Sequence, residues 1–279
     1  MVIAKTIPRV RQEIARAKTK GKKIGFVPTM GALHQGHLSL ILKAKKECDY
    51  VVASIFVNPL QFGKGEDLKR YPRNLSRDLR LLYNEHVDMV FYPNAKMMYS
   101  KDASTYVEET DLSKRLCGKF RPGHFKGVCT VVAKLFNIVS PDTTYFGRKD
   151  YQQAKIIERM VHDLAFPVKI KIAPIVREKT GLAMSSRNEY LSGESRKKAA
   201  GIYKALQNAK YSCRKKVTSG RLTRQIKKDI ITSIPTAKIQ YIEIVDPETL
   251  KPLKSIKSRA LIAVAVYVEK VRLIDNIIV

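Results

Sequence analysis

Two rhythms of apolar residues alternate along the first 174 positions. Apolar runs of strand length at 23–27, 50–57, 87–92, 143–146 and 168–172 are separated by stretches with helical spacing. Leu38, Ile41 and Leu42 fall at i, i+3 and i+4, predicting a helix that buries that face, and Val128, Val131, Val132, Leu135 and Val139 predict a second. Strand and helix in alternation predict a parallel sheet covered on both faces, so residues 1–174 are expected to form an α/β, Rossmann-like domain. The texture changes after Pro174. Helical stretches at 194–211 and 222–231 precede strand runs at 239–245 and 261–268, predicting a smaller α+β domain with an antiparallel sheet over 175–279.

In an open parallel sheet, ligands bind beyond the carboxyl ends of the strands. Three chemistry-bearing segments follow predicted strands: Met30-Gly31-Ala32-Leu33-His34-Gln35-Gly36-His37, Asn58-Pro59-Leu60-Gln61-Phe62 and Gly147-Arg148-Lys149-Asp150. In the first, glycine-rich backbone enters a helix whose N-terminal N–H groups and partial positive charge suit a phosphate. His34 and His37 face one way if the helix starts between them, and both can donate to one phosphate group. Two histidines three apart also suit zinc, but the motif holds no acidic or cysteine partner, and no metal ligand is assigned. Ordinary surface histidines at a helix start are the plainer alternative.

Gln61 and Gln153 carry amides that both donate and accept, a property suited to a small hydroxy acid, although each taken alone reads more readily as a surface or capping residue. Lys149 can reach a triphosphate from its place after a strand and glycine; simple solvation is the alternative. Asp150 can cap a helix or accept from a ribose hydroxyl. Near the start of the second domain, Met184-Ser185-Ser186-Arg187-Asn188 offers hydroxyls and a guanidinium that fit β and γ phosphates, and it equally fits a helix cap.

Composition narrows the partners. Of 279 residues, 44% are hydrophobic, yet no apolar run approaches the roughly twenty residues of a membrane span. The first nine residues lack a signal-peptide core, so a cytoplasmic protein with no membrane partner is expected. Cys48, Cys117, Cys129 and Cys213 form no C-x-x-C pair and are expected to be reduced and structural. A formal charge of +28 raises nucleic acid as a partner. The lysines are spread, however, and clusters such as Lys43-Ala44-Lys45-Lys46 and Arg214-Lys215-Lys216 lack interleaved aromatic platforms, so no specific nucleic-acid partner is expected.

Set together, the segments resemble the pantothenate synthetase (pantoate–β-alanine ligase) family. The resemblance is carried by residues 28–37 and 56–62, by Glu66-Asp67 with Tyr71-Pro72-Arg73, and by Arg121-Pro122-Gly123-His124-Phe125. It continues through Phe146-Gly147, 149–153, 181–188 and Arg272-Leu273-Ile274-Asp275-Asn276, nearly the whole chain. His34-Gln35-Gly36-His37 alone would suggest only the wider nucleotidylyltransferase group that includes class I aminoacyl-tRNA synthetases. Three positions depart from the family pattern: Arg148 stands where an acidic residue is common, Thr180 where Asp is common, and Glu269 where Gly is common.

The resemblance implies ATP-dependent condensation of pantoate with β-alanine through a pantoyl adenylate, in a homodimer, with Mg2+ bound through the ATP phosphates. It implies catalytic roles for His34, His37, Lys149, Ser185, Ser186 and Arg187. ATP is expected at residues Met30 to His37, at Gly147, Arg148, Lys149 and Asp150, and at Val176, Met184, Ser185, Ser186 and Arg187. Pantoate and β-alanine are expected at Gln61, Gln153, Met30, Phe62 and Asn58.

Overall fold

The computed structural model describes residues 1–213 and 217–279, so the Arg214-Lys215-Lys216 cluster lies outside the described residues. The first half of the chain contains β1 (Val2–Ala4), α1 (Ile7–Thr19), β2 (Ile24–Thr29), α2 (Gln35–Glu47), β3 (Tyr50–Ile55), α3 (Leu75–Asn84), β4 (Met89–Phe91) and α4 (Ala95–Met98). Next come α5 (Leu116–Phe120), α6 (His124–Val139), β5 (Thr143–Gly147), α7 (Tyr151–Asp163) and β6 (Lys169–Ala173). The remainder contains α8 (Gly193–Ala199), α9 (Gly201–Ser212), α10 (Ser219–Ser233), β7 (Lys238–Val245), β8 (Leu261–Val268) and β9 (Val271–Ile278).

The chain divides into two compact units. Unit 1 comprises Met1–Thr110, Arg121–Arg148 and Gln153–Pro174; unit 2 comprises Asp111–Phe120, Lys149–Gln152 and Ile175–Val279. Two stretches expected in the first domain, 111–120 and 149–152, therefore group with the second. Gln152 gives a physical reason. Its buried amide donates to the carbonyls of Leu112 (2.8 Å) and Arg115 (2.7 Å) and accepts from the Cys117 N–H (2.9 Å), tying the two stretches together.

In unit 1 six parallel strands run in the order β1-β4-β3-β2-β5-β6. Strands β3, β2 and β5 are neighbours, so the segments that follow them leave one end of the sheet side by side. One face of the sheet buries Val27, Val51, Ala53 and Ile55 against Leu40, Ile41 and Ala44 of α2 and Leu82 of α3. On α2 the buried positions are Leu38, Leu40, Ile41 and Ala44, whereas Leu42, expected inside, is 47% exposed. Helix α6 departs further from its expected single apolar face. It packs against α1, β2 and the 3-10 turn Pro59–Gln61, and is buried nearly all round. Edge strand β1 and the last strand β9 were outside the sequence expectation.

In unit 2 the sheet is antiparallel in the order β7-β8-β9, with β8 in the centre. Its inner face, Ile262, Val264 and Val266, packs on Leu206 of α9 and Leu222, Ile226 and Ile230 of α10. The single helix expected over 194–211 is two helices that meet at Ala200.

The β8–β9 hairpin explains one departure from the family pattern. Val268 pairs with Val271, leaving a two-residue turn whose first residue, Glu269, has a φ of 54°. Glycine is favoured at the first central position of such hairpins, because a Cβ there crowds the following carbonyl. Glu269 recovers part of that cost by accepting a hydrogen bond from Ser192 Oγ at 2.8 Å. Replacing Glu269 with Gly is expected to stabilise the fold by up to about 1 kcal/mol, read as a higher thermal midpoint; a lower midpoint would contradict the strain at this turn.

Candidate active site

The turn after β2 is held together from within. Thr29 Oγ1 donates to the Ser54 carbonyl at 2.7 Å and accepts from the Gly31 N–H at 3.1 Å. Gly31 (φ 81°) and Ala32 (φ 50°) turn the chain through the left-handed region, and a Cβ on Gly31 would lie 3.0 Å from Asp78 Oδ2. Asp78, at the start of α3 and 1% exposed, accepts from the N–H groups of Ala32 (2.9 Å) and Leu33 (2.8 Å) with its two oxygens. The N–H of His34 donates to His37 Nδ1 (3.3 Å) and that of Gly36 to His34 Nδ1 (3.1 Å), so the two imidazoles cap α2 reciprocally.

This arrangement corrects the expectation that the N–H groups of the turn aim at an anion. Those of Gly31, Ala32, Leu33, His34 and Gly36 all have acceptors inside the protein. The ring Nδ1 atoms of both histidines are themselves occupied as acceptors. Because each Nδ1 accepts, the neutral ring must carry its proton on Nε2, which makes Nε2–H the donor of both histidines. The two ring centroids are 4.1 Å apart with planes inclined by 32°, which puts two donors of the same sense together. Gln35 between them is exposed.

Beyond β3, Gln61 is buried in the 3-10 turn Pro59–Gln61, and its Nε2 donates to Met30 Sδ at 2.9 Å. Met30 and Gln61 are thus in direct contact. Phe62 is half-buried, edge-on to Tyr71. Asn58, expected to touch substrate, is 1% exposed and works on the scaffold. Its Nδ2 donates to Gln61 Oε1 (3.1 Å) and to the Gly127 carbonyl (3.0 Å), while its Oδ1 accepts from Tyr99 OH (2.8 Å) and the Leu60 N–H (3.3 Å). Gln153 is half-buried in the first turn of α7.

Unit 2 carries the remaining predicted residues except Gly147 and Arg148, which end a segment of unit 1. Arg177 grips Asp275 of β9 with both terminal nitrogens (2.6 and 2.9 Å), and its guanidinium carbon lies 3.5 Å from the centre of the Tyr203 ring. Gly181 (φ 99°) sits against that ring, where a Cβ would come within 2.9 Å. Asn188 closes the loop by donating to Glu178 Oε1 (2.8 Å) and the Ala183 carbonyl (3.1 Å). Met184 donates its N–H to the Val176 carbonyl (3.0 Å), and Ser185 Oγ caps the 3-10 turn Ser186–Tyr190 by accepting from the Arg187 N–H (3.3 Å). Beside Asp275, Asn276 Nδ2 donates to the Lys149 carbonyl at 2.9 Å. Strand β9 therefore anchors both the Ser185-Ser186-Arg187 loop and the Lys149 segment. The Lys149 ammonium lies 3.2 Å from Asp150 Oδ2, and Arg148 and Asp150 flank it in the same 3-10 turn.

Comparison with known proteins decides the family. The family model described as Pantoate-beta-alanine ligase matches residues 2–278. The chain belongs to the pantoate–β-alanine ligase family. A pantothenate synthetase of Sulfurihydrogenibium sp. is 58% identical over 261 residues, covering 93% of each chain, and one of Fervidobacterium nodosum is 54% identical over 282 residues, covering 100% of this chain and 99% of the other. The crystal structure of the Thermus thermophilus pantothenate synthetase superposes with a TM-score of 0.93 at 45% identity over 99% of both chains. The Francisella tularensis pantoate–β-alanine ligase, solved in complex with beta-gamma ATP and β-alanine, gives a TM-score of 0.83 at 40% identity, covering 99% of this chain and 97% of that one. The protein is accordingly a ligase that acts on pantoate and β-alanine.

Two measurements test the geometry. Asp78→Ala leaves two buried N–H groups without acceptors and is expected to cost about 3 kcal/mol in denaturant unfolding, with Asp78→Asn intermediate; an unchanged midpoint would mean that Asp78 does not hold the turn. Glu66 faces Arg121 at 2.6 Å. Burial raises its proton affinity, but the hydrogen bonds and charge of Arg121 outweigh that and hold the carboxyl below the ordinary range. A depressed folded-state value stabilises the fold above the unfolded value and is lost as pH falls through the folded one. The stability gap between parent and Glu66→Gln is therefore expected to be largest at neutral pH and to close below the ordinary glutamate value of about 4.3.

Proposed function

We propose that the protein joins the carboxylate of pantoate to the α-phosphorus of ATP and then transfers the pantoyl group from AMP to the amine of β-alanine. The observation that carries this reading is the contact between Gln61 and Met30. It sets an amide beside the start of a turn that holds two imidazole Nε2–H donors. The beta-gamma ATP and β-alanine in the Francisella tularensis ligase support the same substrates here.

A carboxylate is a poor electrophile at its carbon, so the acid must first be activated. A pantoate oxygen attacks the α-phosphorus, the new O–P bond forms as the bond to the β-phosphate oxygen breaks, and pyrophosphate leaves with that electron pair. The β-alanine nitrogen then attacks the acyl carbon, loses a proton and expels AMP. His34 and His37 donate to phosphate oxygens as negative charge builds on the five-coordinate phosphorus. They are already oriented by their capping bonds, so little reorganisation accompanies the reaction. Lys149, Ser185, Ser186 and Arg187 carry the charge of the β and γ phosphates and of departing pyrophosphate.

Asn58 holds Gln61 Oε1, while Gln61 Nε2 has only the weak thioether acceptor of Met30 to give up to a carboxylate. With Gln153, it orients pantoate against the apolar surface of Met30 and Phe62, and orientation of the reacting oxygen removes part of the entropic barrier. Among the described residues no group of three or more His, Cys, Asp or Glu side chains is placed to hold a metal. Mg2+ enters this reading on the oxygens of the triphosphate, as the family resemblance implies. A cytoplasmic homodimer is proposed with it, on the strength of the family resemblance; no helix among the described residues is long and apolar enough to cross a membrane.

Rapid mixing of enzyme, ATP and pantoate is expected to release a burst of pyrophosphate near one equivalent, with AMP following only when β-alanine is added. Absence of the burst, or a burst that does not need pantoate, would overturn the reading. His37→Ala is expected to slow the burst by about 10²- to 10³-fold while the fold persists.

A further inference from the structure

The Arg121-Pro122-Gly123-His124 segment is a family motif that the reaction scheme leaves without a task. Arg121 Nε and a terminal nitrogen donate to the two Glu66 oxygens at 2.7 and 2.6 Å, and the same terminal nitrogen reaches the Gln61 carbonyl at 3.3 Å. The other terminal nitrogen lies 2.9 Å from His124 Nε2, and His124 Nδ1 lies 2.7 Å from the Gln61 carbonyl. The proton assignments follow without choice. A guanidinium only donates and a carbonyl only accepts, so Nε2 is the acceptor and Nδ1–H the donor, in a neutral ring. The Gln61 carbonyl thus receives two donors, one from the first residue of α6 and one from the segment just before it.

Two further restraints converge on the same turn. A Cβ on Gly127, one turn along α6, would overlap the backbone of Leu60 and Gln61, so only glycine permits the approach. Asn58 bridges Gln61 Oε1 and the Gly127 carbonyl. His124 is buried, and the ion pair of Arg121 with Glu66 ties the loop after Phe62 to the same network.

We propose that Arg121 and His124 are positioning residues that fix Gln61 through its main-chain carbonyl, so that its side-chain amide is aimed before pantoate arrives. The proposal rests on the reading that Gln61 binds pantoate. It gives the Arg-Pro-Gly-His motif a part in acid-substrate specificity rather than in phosphate chemistry.

The test is steady-state kinetics on full-length variants, with the KM values for pantoate and ATP measured separately. His124→Ala is expected to raise the pantoate KM about tenfold, the order expected from losing one buried hydrogen bond, and to leave the ATP KM within about twofold. His124→Asn keeps a donor near the position of Nδ1 and is expected to recover most of the loss. If His124→Ala does not fold, Arg121→Gln reads the same carbonyl and should show the same split. An unchanged pantoate KM in these variants, an equal rise in both KM values, or no recovery in His124→Asn would overturn the positioning role. Gln61→Ala separates the two levels. If it raises the pantoate KM while the His124 and Arg121 variants do not, the positioning role falls and the substrate reading stands; if Gln61→Ala changes nothing, the substrate reading falls and takes the proposal with it.

Discussion

A single buried carboxylate governs the shape of the turn between β2 and α2. Between β2 and α2 the chain passes through two consecutive left-handed residues, Gly31 and Ala32, a conformation that an alanine adopts at a cost. Asp78 offsets that cost by taking the N–H groups of Ala32 and Leu33 with its two oxygens, away from water, where hydrogen bonds to a charged acceptor are strong. The consequence reaches the chemistry. With its N–H groups occupied, the turn presents side chains, and the capping bonds of His34 and His37 fix the tautomer of each ring.

The same division of labour recurs at each part of the candidate site. A polar group with the right chemistry is held by a neighbour whose own polar atoms face inward. Gln61 is held by Asn58, His124 and Arg121, and the 149–152 stretch by Gln152 and Asn276. The Ser185-Ser186-Arg187 loop is held by Arg177, Asp275 and Asn188. Preorganisation of this kind lets donors act on developing charge without first being ordered. It also means that several of the most consequential side chains touch no substrate in the proposed scheme.

That distinction explains what could be read in the sequence. Alternating strand and helix rhythms carried the α/β unit and the antiparallel α+β unit, because burial on one face leaves a periodic trace. Periodicity failed where burial is not one-sided. Helix α6 is enclosed nearly all round, and Leu42, although spaced as a core residue on α2, faces outward. Three-residue strand β1 is too short to leave a pattern. The motif residues were legible because their spacing after strands matches a known family. The supporting residues were not: Asp78 lies 46 positions from Ala32, and Asp275 lies 98 from Arg177, partnerships that exist only in the folded chain. Asn58 was legible as part of a motif, but its four scaffold hydrogen bonds were not, since an amide gives no sequence sign of the partners it takes. Glu269 shows the reverse case, where a departure from the family pattern became intelligible once its left-handed turn was known.

The central claim is that this scaffold joins a carboxylate oxygen to the α-phosphorus of ATP. Pantoate labelled with 18O in both carboxylate oxygens tests it directly, because the attacking oxygen must stay with the group it attacks. The account predicts that, after turnover with β-alanine, one labelled oxygen is found in the phosphate of AMP and none in pyrophosphate. Unlabelled AMP, or label in pyrophosphate, would contradict it.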